Sequence, residues 1–203
     1  MYQRDAGVPV DFPAQLFPHN MLWFANAVLI MVLMAAAWRA RLGRLWNNEF
    51  THVYFAACVA LLLLWNTGVG VLPALNFHLL GVTAITLMFG WAYAVFAVLL
   101  VTAGTIINQN GAWVGIGMNA LITGCIPILV TTVLLRFAQR KLPYNFFVYV
   151  YINGFLAAGL ATVAANILGA LLMLLADSGN AEWLGYQLFP YLPLIFFSEA
   201  FIN

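Results

Sequence analysis

Three side chains in this sequence have the type and placement to hold a metal ion: His78, His19 and Asp11. His78 stands in Asn76-Phe77-His78-Leu79-Leu80-Gly81, at the head of an apolar segment. His19 stands in Phe17-Pro18-His19-Asn20, just before another apolar segment, with Asp11 upstream. Imidazole combined with carboxylate suits a borderline divalent ion such as Ni²⁺, Co²⁺ or Zn²⁺. A histidine on an apolar face is also commonly a satisfied structural group, and both readings stand here. The third histidine, His52, follows the Arg39–Arg44 stretch, which positive-inside bias places in the cytoplasm, so it falls near that face and cannot join the other two. Cys58 and Cys125 both lie inside apolar runs and read as small packing residues.

The elements that must position these groups follow from composition. Of the 203 residues, 65% are hydrophobic and only 6% are Asp, Glu, Lys or Arg. So few charges cannot cover a water-soluble domain of this size, so the solvent for most of the chain is lipid. A hydrocarbon core roughly 30 Å thick needs about 20 mostly apolar residues per helix. Runs such as Val59-Ala60-Leu61-Leu62-Leu63-Leu64 lack the alternation of a barrel strand. The expectation is an all-α membrane protein, a bundle of six to seven transmembrane helices. Residues 1–19 read as an extracytoplasmic N-terminal segment and 20–203 as a single transmembrane helical domain. The first 19 residues lack the apolar centre of a cleavable signal peptide.

The spans are expected at about Asn20–Trp38, His52–Leu72, Phe77–Gly90, Trp91–Ile107, Trp113–Leu135 and Phe146–Ala176, with a last segment from near Tyr186. Six of the seven Lys and Arg fall after the first and fifth spans: Arg39, Arg41, Arg44, Arg136, Arg140 and Lys141. Positive-inside bias puts both loops in the cytoplasm. With the N-terminus outside and spans alternating, both basic loops come out on one side, and the C-terminus points towards the cytoplasm. Asp5, Asp11, Asp177 and Glu182 then fall on the other side, with His78 at the outer end of its span. Within the spans, Asn66, His78, Asn119, Asn153, Asn166 and Glu199 need partners or roles. Asn66, Asn153 and Asn166 are expected to bond across helix pairs. Glu199 has three open readings: pairing with an arginine, contact with a partner protein, or reaching the interface. Gly115 and Gly117 allow either close helix packing or room for a ligand or an inserted segment.

The order of motifs resembles the CbiM/NikM family, the membrane substrate-capture components of energy-coupling-factor transporters for cobalt and nickel. Asn76-Phe77-His78-Leu79-Leu80-Gly81 resembles that family's "GHLLGG" signature. Gly117-Met118-Asn119-Ala120-Leu121-Ile122-Thr123-Gly124 is similar to its "GANxLNMG" segment. Leu142-Pro143-Tyr144-Asn145 and Tyr151-Ile152-Asn153-Gly154-Phe155 fit its next loop and helix, and Ser198-Glu199-Ala200-Phe201-Ile202-Asn203 resembles its "EAFxNG" ending. The similarity spans roughly residues 11–203.

The resemblance implies a seven-helix bundle with a metal site near the outer face. The family builds that site from an N-terminal "MHI" start, which folds back into the bundle, and from the signature histidine, which His78 matches. This chain begins Met1-Tyr2-Gln3-Arg4-Asp5 and has no histidine at position 2. If Asp11-Phe12-Pro13 aligns with "HIP", Asp11 stands where the ligand histidine would be, after a nine-residue extension. A square-planar site built only from nitrogen does not fit that start. The resemblance also implies a further helical stretch after Asn203.

The implied function is capture of a cobalt- or nickel-like ion in a multi-pass protein of the bacterial inner membrane. The lipid bilayer, ATPase subunits and a coupling membrane protein would be its partners. The chain has no Gly-x-x-x-x-Gly-Lys-Ser/Thr loop with which to hydrolyse ATP itself. A second reading is a non-transporting structural or assembly subunit of a larger membrane complex. The aromatic load, 7 Trp, 8 Tyr and 16 Phe, suits that reading as well as it suits interface belts. No nucleophile–base pair or carboxylate dyad points to an enzyme, and a net charge of +1 argues against nucleic acid.

Overall fold

The structure is a computed structural model. It describes residues 13–40, 42–66, 69–72, 75–77, 80–109, 111–143, 145–176 and 189–203. Two of the three proposed metal ligands, His78 and Asp11, lie outside these residues.

Among the described residues, five helices are long and apolar enough to cross a membrane: α1 (His19–Arg39), α2 (Asn48–Asn66), α4 (Trp91–Gln109), α5 (Trp113–Lys141) and α6 (Phe146–Leu175). Two shorter helices complete the described bundle: α3 (Val82–Phe89) and α7 (Phe189–Ile202). The all-α membrane bundle is therefore the architecture. A small hairpin sits between α2 and α3, formed by β1 (Val69–Leu72) antiparallel to β2 (Leu75–Phe77). Val69 pairs with Phe77 and Gly70 with Asn76, and the register slips between Gly70 and Leu72.

Two expected spans are corrected here. The second helix stops at Asn66 instead of running to Leu72, and the third helix starts at Val82 instead of near Phe77. Gly68, Gly70 and Pro73 in the intervening stretch disfavour a continuing helix. At the far end, Gly81 takes φ +59°, a left-handed conformation open to glycine, and α3 begins immediately after it. With eight residues, α3 is about 12 Å long and crosses no bilayer alone. Such backbone is viable at membrane depth only where protein surrounds it. Here α3 packs on α4, α5 and α6.

α4 is the hub, with 56% of its span buried against 22% for α1 and α2. Small residues let its neighbours close in. Ala92, Ala94 and Ala97 are buried, and a Cβ on Gly124 of α5 would collide with the Val98 side chain. Tyr54 donates from its hydroxyl to the Tyr93 carbonyl (2.9 Å) and joins Phe50, Phe89 and Tyr93 in an aromatic cluster linking α2, α3 and α4. The outward faces are apolar: Trp23, Phe24, Trp38, Phe146 and Phe201 are all exposed. In water such a surface would aggregate; in a bilayer it is the lipid contact.

α5 and α6 each contain π-helical turns, Ala120–Cys125 and Tyr149–Leu156. The family-like segments Gly117–Gly124 and Tyr151–Phe155 overlap these two stretches.

Candidate functional site

The N-terminal arm turns through a short 3₁₀ segment, Ala14–Leu16, and buries Phe17 before α1 begins at His19. Ala14 lies against Gly115 at the head of α5. A Cβ on Gly115 would stand 3.3 Å from the Ala14 Cβ and 3.6 Å from the Asn119 Nδ2. Asn119 is buried; it donates to the Gly115 carbonyl (3.1 Å), and its own carbonyl accepts from the Thr123 hydroxyl (2.7 Å). Glycine and asparagine here make a seat for the arm three residues beyond Asp11.

Asn26 of α1 completes this seat. Its Nδ2 donates to the Val114 carbonyl (3.0 Å) and its Oδ1 accepts from the Gly117 N–H (2.9 Å). The amide thus supplies an acceptor to an N–H at the helix head, where N–H groups run short of intrahelical partners, and adds a donor to a carbonyl beside it. Gly117 is glycine because a Cβ there would stand 2.5 Å from the Asn26 Oδ1 and 2.6 Å from its backbone N. The two readings of Gly115 and Gly117 resolve as close packing, with the inserted segment being the arm itself.

The second half of the site surrounds the segment that follows His78. Leu80 is buried, and both its backbone polar groups are engaged. The Trp65 Nε1 donates to the Leu80 carbonyl (2.9 Å), and the Leu80 N–H donates to the Glu199 Oε2 (2.7 Å). The Gly81 N–H donates to the Glu199 Oε1, also at 2.7 Å. One carboxylate therefore straddles two successive backbone N–H groups at the start of α3, where the helix dipole favours negative charge. The short distances fit charge-assisted bonds. Asn203 approaches the same oxygen, Nδ2 to Oε1, at 3.5 Å. Its described partners at this point are two backbone N–H groups, an arrangement that none of the three readings of Glu199 named.

Other polar groups follow their surroundings. The Asn66 Oδ1 accepts from Asn108 (2.7 Å), a bond between α2 and α4 of the expected kind. Asn166 instead donates to the Thr162 carbonyl in its own helix. Asn153 is buried, and its Oδ1 has no hydrogen-bond partner among the described residues, so the expected cross-helix bond is not formed there. Thr83 and Thr131 join α3 to α5 by a buried hydroxyl pair at 2.9 Å.

Of the three proposed ligands, only His19 is described, as the exposed first residue of α1. Among the described residues no three of His, Cys, Asp and Glu gather to hold a metal ion. Two residues that shape the site, Asn26 and Trp65, escape notice in the sequence. Asn26 carries the same signal as Asn66, a polar amide in an apolar run, and that signal should have marked it.

Residues 11–203, nearly the whole chain, match the family described as the cobalt uptake substrate-specific transmembrane region, CbiM. The chain belongs to this family. The match takes in the arm, its seat on α5, the segment around Leu80 and the Glu199 helix. No curated protein and no solved structure matches the chain. The CbiM assignment makes it a multi-pass membrane component of cobalt uptake.

Proposed function

We propose that the chain captures a divalent transition-metal ion, Co²⁺ or Ni²⁺, as the membrane substrate-binding subunit of an energy-coupling-factor-type transporter. The observation that carries this reading is the CbiM match, which runs through both halves of the site. His78 and Asp11 are the proposed donors, with His19 as the third. The residue types suit a borderline ion. The seat under Ala14 and the anchored Leu80 support the reading, because each holds chain close in sequence to a proposed donor. Zn²⁺ shares the same ligand chemistry and is the competitor to test.

The subunit would sit in a bacterial inner membrane with its N-terminus outside. It would depend on ATPase subunits and a coupling membrane protein for the energy of transport. The basic stretches at Arg39–Arg44 and Arg136–Lys141 would face the cytoplasm, where those partners act.

The test is equilibrium binding of Co²⁺, Ni²⁺, Zn²⁺ and Cu²⁺ to the detergent-purified full chain, with His78→Ala, Asp11→Ala and His19→Ala alongside. Binding of Co²⁺ or Ni²⁺ that weakens more than about 100-fold in His78→Ala supports the proposal. A folded chain that binds none of the four ions overturns it, and the non-transporting assembly subunit becomes the better reading.

A further inference from the structure

Glu199 is the one buried residue among those described whose side chain ordinarily carries a charge, with 3% of its surface exposed. Burying a carboxylate is costly unless strong donors replace the lost water. If α3 needed only a cap, a Ser, Thr, Asp or Asn at its own N-cap position would supply one. That position is Gly81, and the cap arrives from a residue 118 positions later, on the last described helix. The carboxylate therefore joins two distant parts of the chain at one point.

The point it joins is Leu80–Gly81, which begins two residues after the signature histidine in sequence. The Leu80 N–H is fixed by Glu199 and the Leu80 carbonyl by Trp65 of α2. Gly81 is wedged between Leu61 and Leu64 of the same helix, its Cβ position 3.1 and 3.0 Å from their methyl carbons. α7 in turn is locked to α6: a Cβ on Gly159 would overlap the Phe196 ring, and Phe155 packs edge-on against Phe196 and Phe201. α7 is thus tied through Glu199 to the backbone at Leu80–Gly81, which follows His78 in sequence.

We infer that Glu199 is the positioning residue of the capture site: its carboxylate, gripping the Leu80 and Gly81 N–H groups, fixes the backbone that follows the proposed donor His78 in sequence. The effect on metal rests on the capture reading above. The grip itself does not, and the experiment separates the two.

Glu199→Gln keeps the side-chain volume and loses one acceptor, turning an amide donor towards a backbone donor. Two quantities are compared between wild type and variant in the detergent-solubilised full chain. The first is hydrogen exchange of the Leu80 and Gly81 amides without metal. The second is Co²⁺ affinity of the folded fraction. The expected results are exchange about tenfold faster and Co²⁺ binding about 10 to 100-fold weaker. A merely structural role would lower the unfolding midpoint but leave the affinity of the folded fraction unchanged, and that outcome overturns the inference. Unchanged exchange at Leu80 and Gly81 overturns it as well.

If Glu199→Gln does not fold, Gly81→Ala disturbs the same peptide from the other side, since φ +59° strains any residue with a Cβ. The same two readouts and criteria then apply. A wild-type chain that binds no Co²⁺ defeats the capture reading and, with it, the functional part of this inference. Exchange alone then judges the grip.

Discussion

Two seams of this bundle place a side chain on another helix's backbone, and they do it with opposite chemistry. Where α1 meets α5, Asn26 offers a neutral amide, which gives one hydrogen bond and receives one. Where α7 meets α3, Glu199 offers a carboxylate, which only receives. An amide fits the head of α5 because an N–H and a carbonyl both lie within its reach. A carboxylate at depth needs two donors side by side, and a helix start provides that arrangement. The difference explains why α3 begins where it does: a helix continuing upstream from Leu80 would have used the two N–H groups itself.

The largest test of this contrast is steric. Gly117→Ala puts a methyl into Asn26 and should destabilise the chain by about 3 kcal/mol, read as the loss of folded protein in mixed micelles of rising SDS content. A cost well below that would mean that α1 can withdraw, and that the amide seam is loose. Next, Glu199→Ala leaves a buried and a part-buried N–H group unmet and should cost about 2–3 kcal/mol in the same assay. Asn26→Leu removes both bonds to the head of α5 without removing a charge, and about 2 kcal/mol is expected. If Asn26→Leu proves costlier than Glu199→Ala, the charged seam is not the stronger one. The smallest effect sharpens the background. Thr83→Val removes a hydroxyl pair between α3 and α5, worth about 0.6 kcal/mol in a membrane interior, with a double-mutant cycle against Thr131→Val to isolate the pair.

Much of the bundle was legible from hydropathy. The expected first, fourth and sixth spans end within about two residues of α1, α4 and α6, because a long apolar run flanked by polar residues has few alternatives to a helix. The fifth was expected to stop near Leu135 and runs on to Lys141, since Arg136, Gln139 and Arg140 are good helix formers once the chain leaves lipid. The stretch from Thr67 to Gly81 was not legible, because hydropathy measures burial and is silent about backbone shape. Apolar residues in a hairpin look, by hydropathy, like apolar residues in a spanning helix. The glycines and Pro73 held the missing signal. Glu199 was visible as a residue needing a partner, but the peptide N–H groups of Leu80 and Gly81 that it grips are of a kind every residue except proline carries, so sequence could not single them out. The three proposed ligands come from residue type and resemblance, and they remain the proposal that metal binding will judge.

The π-helical turns of α5 have a consequence of their own. Gly117 and Thr131 are 14 residues apart (131 − 117), about 3.9 turns of ideal α-helix, which would aim both at nearly the same neighbour. Yet Gly117 meets α1 and Thr131 meets α3. The wider winding at Ala120–Cys125 introduces a rotational lag between the two halves of the rod. A single uninterrupted span can therefore address one partner with its upper half and a different partner with its lower half.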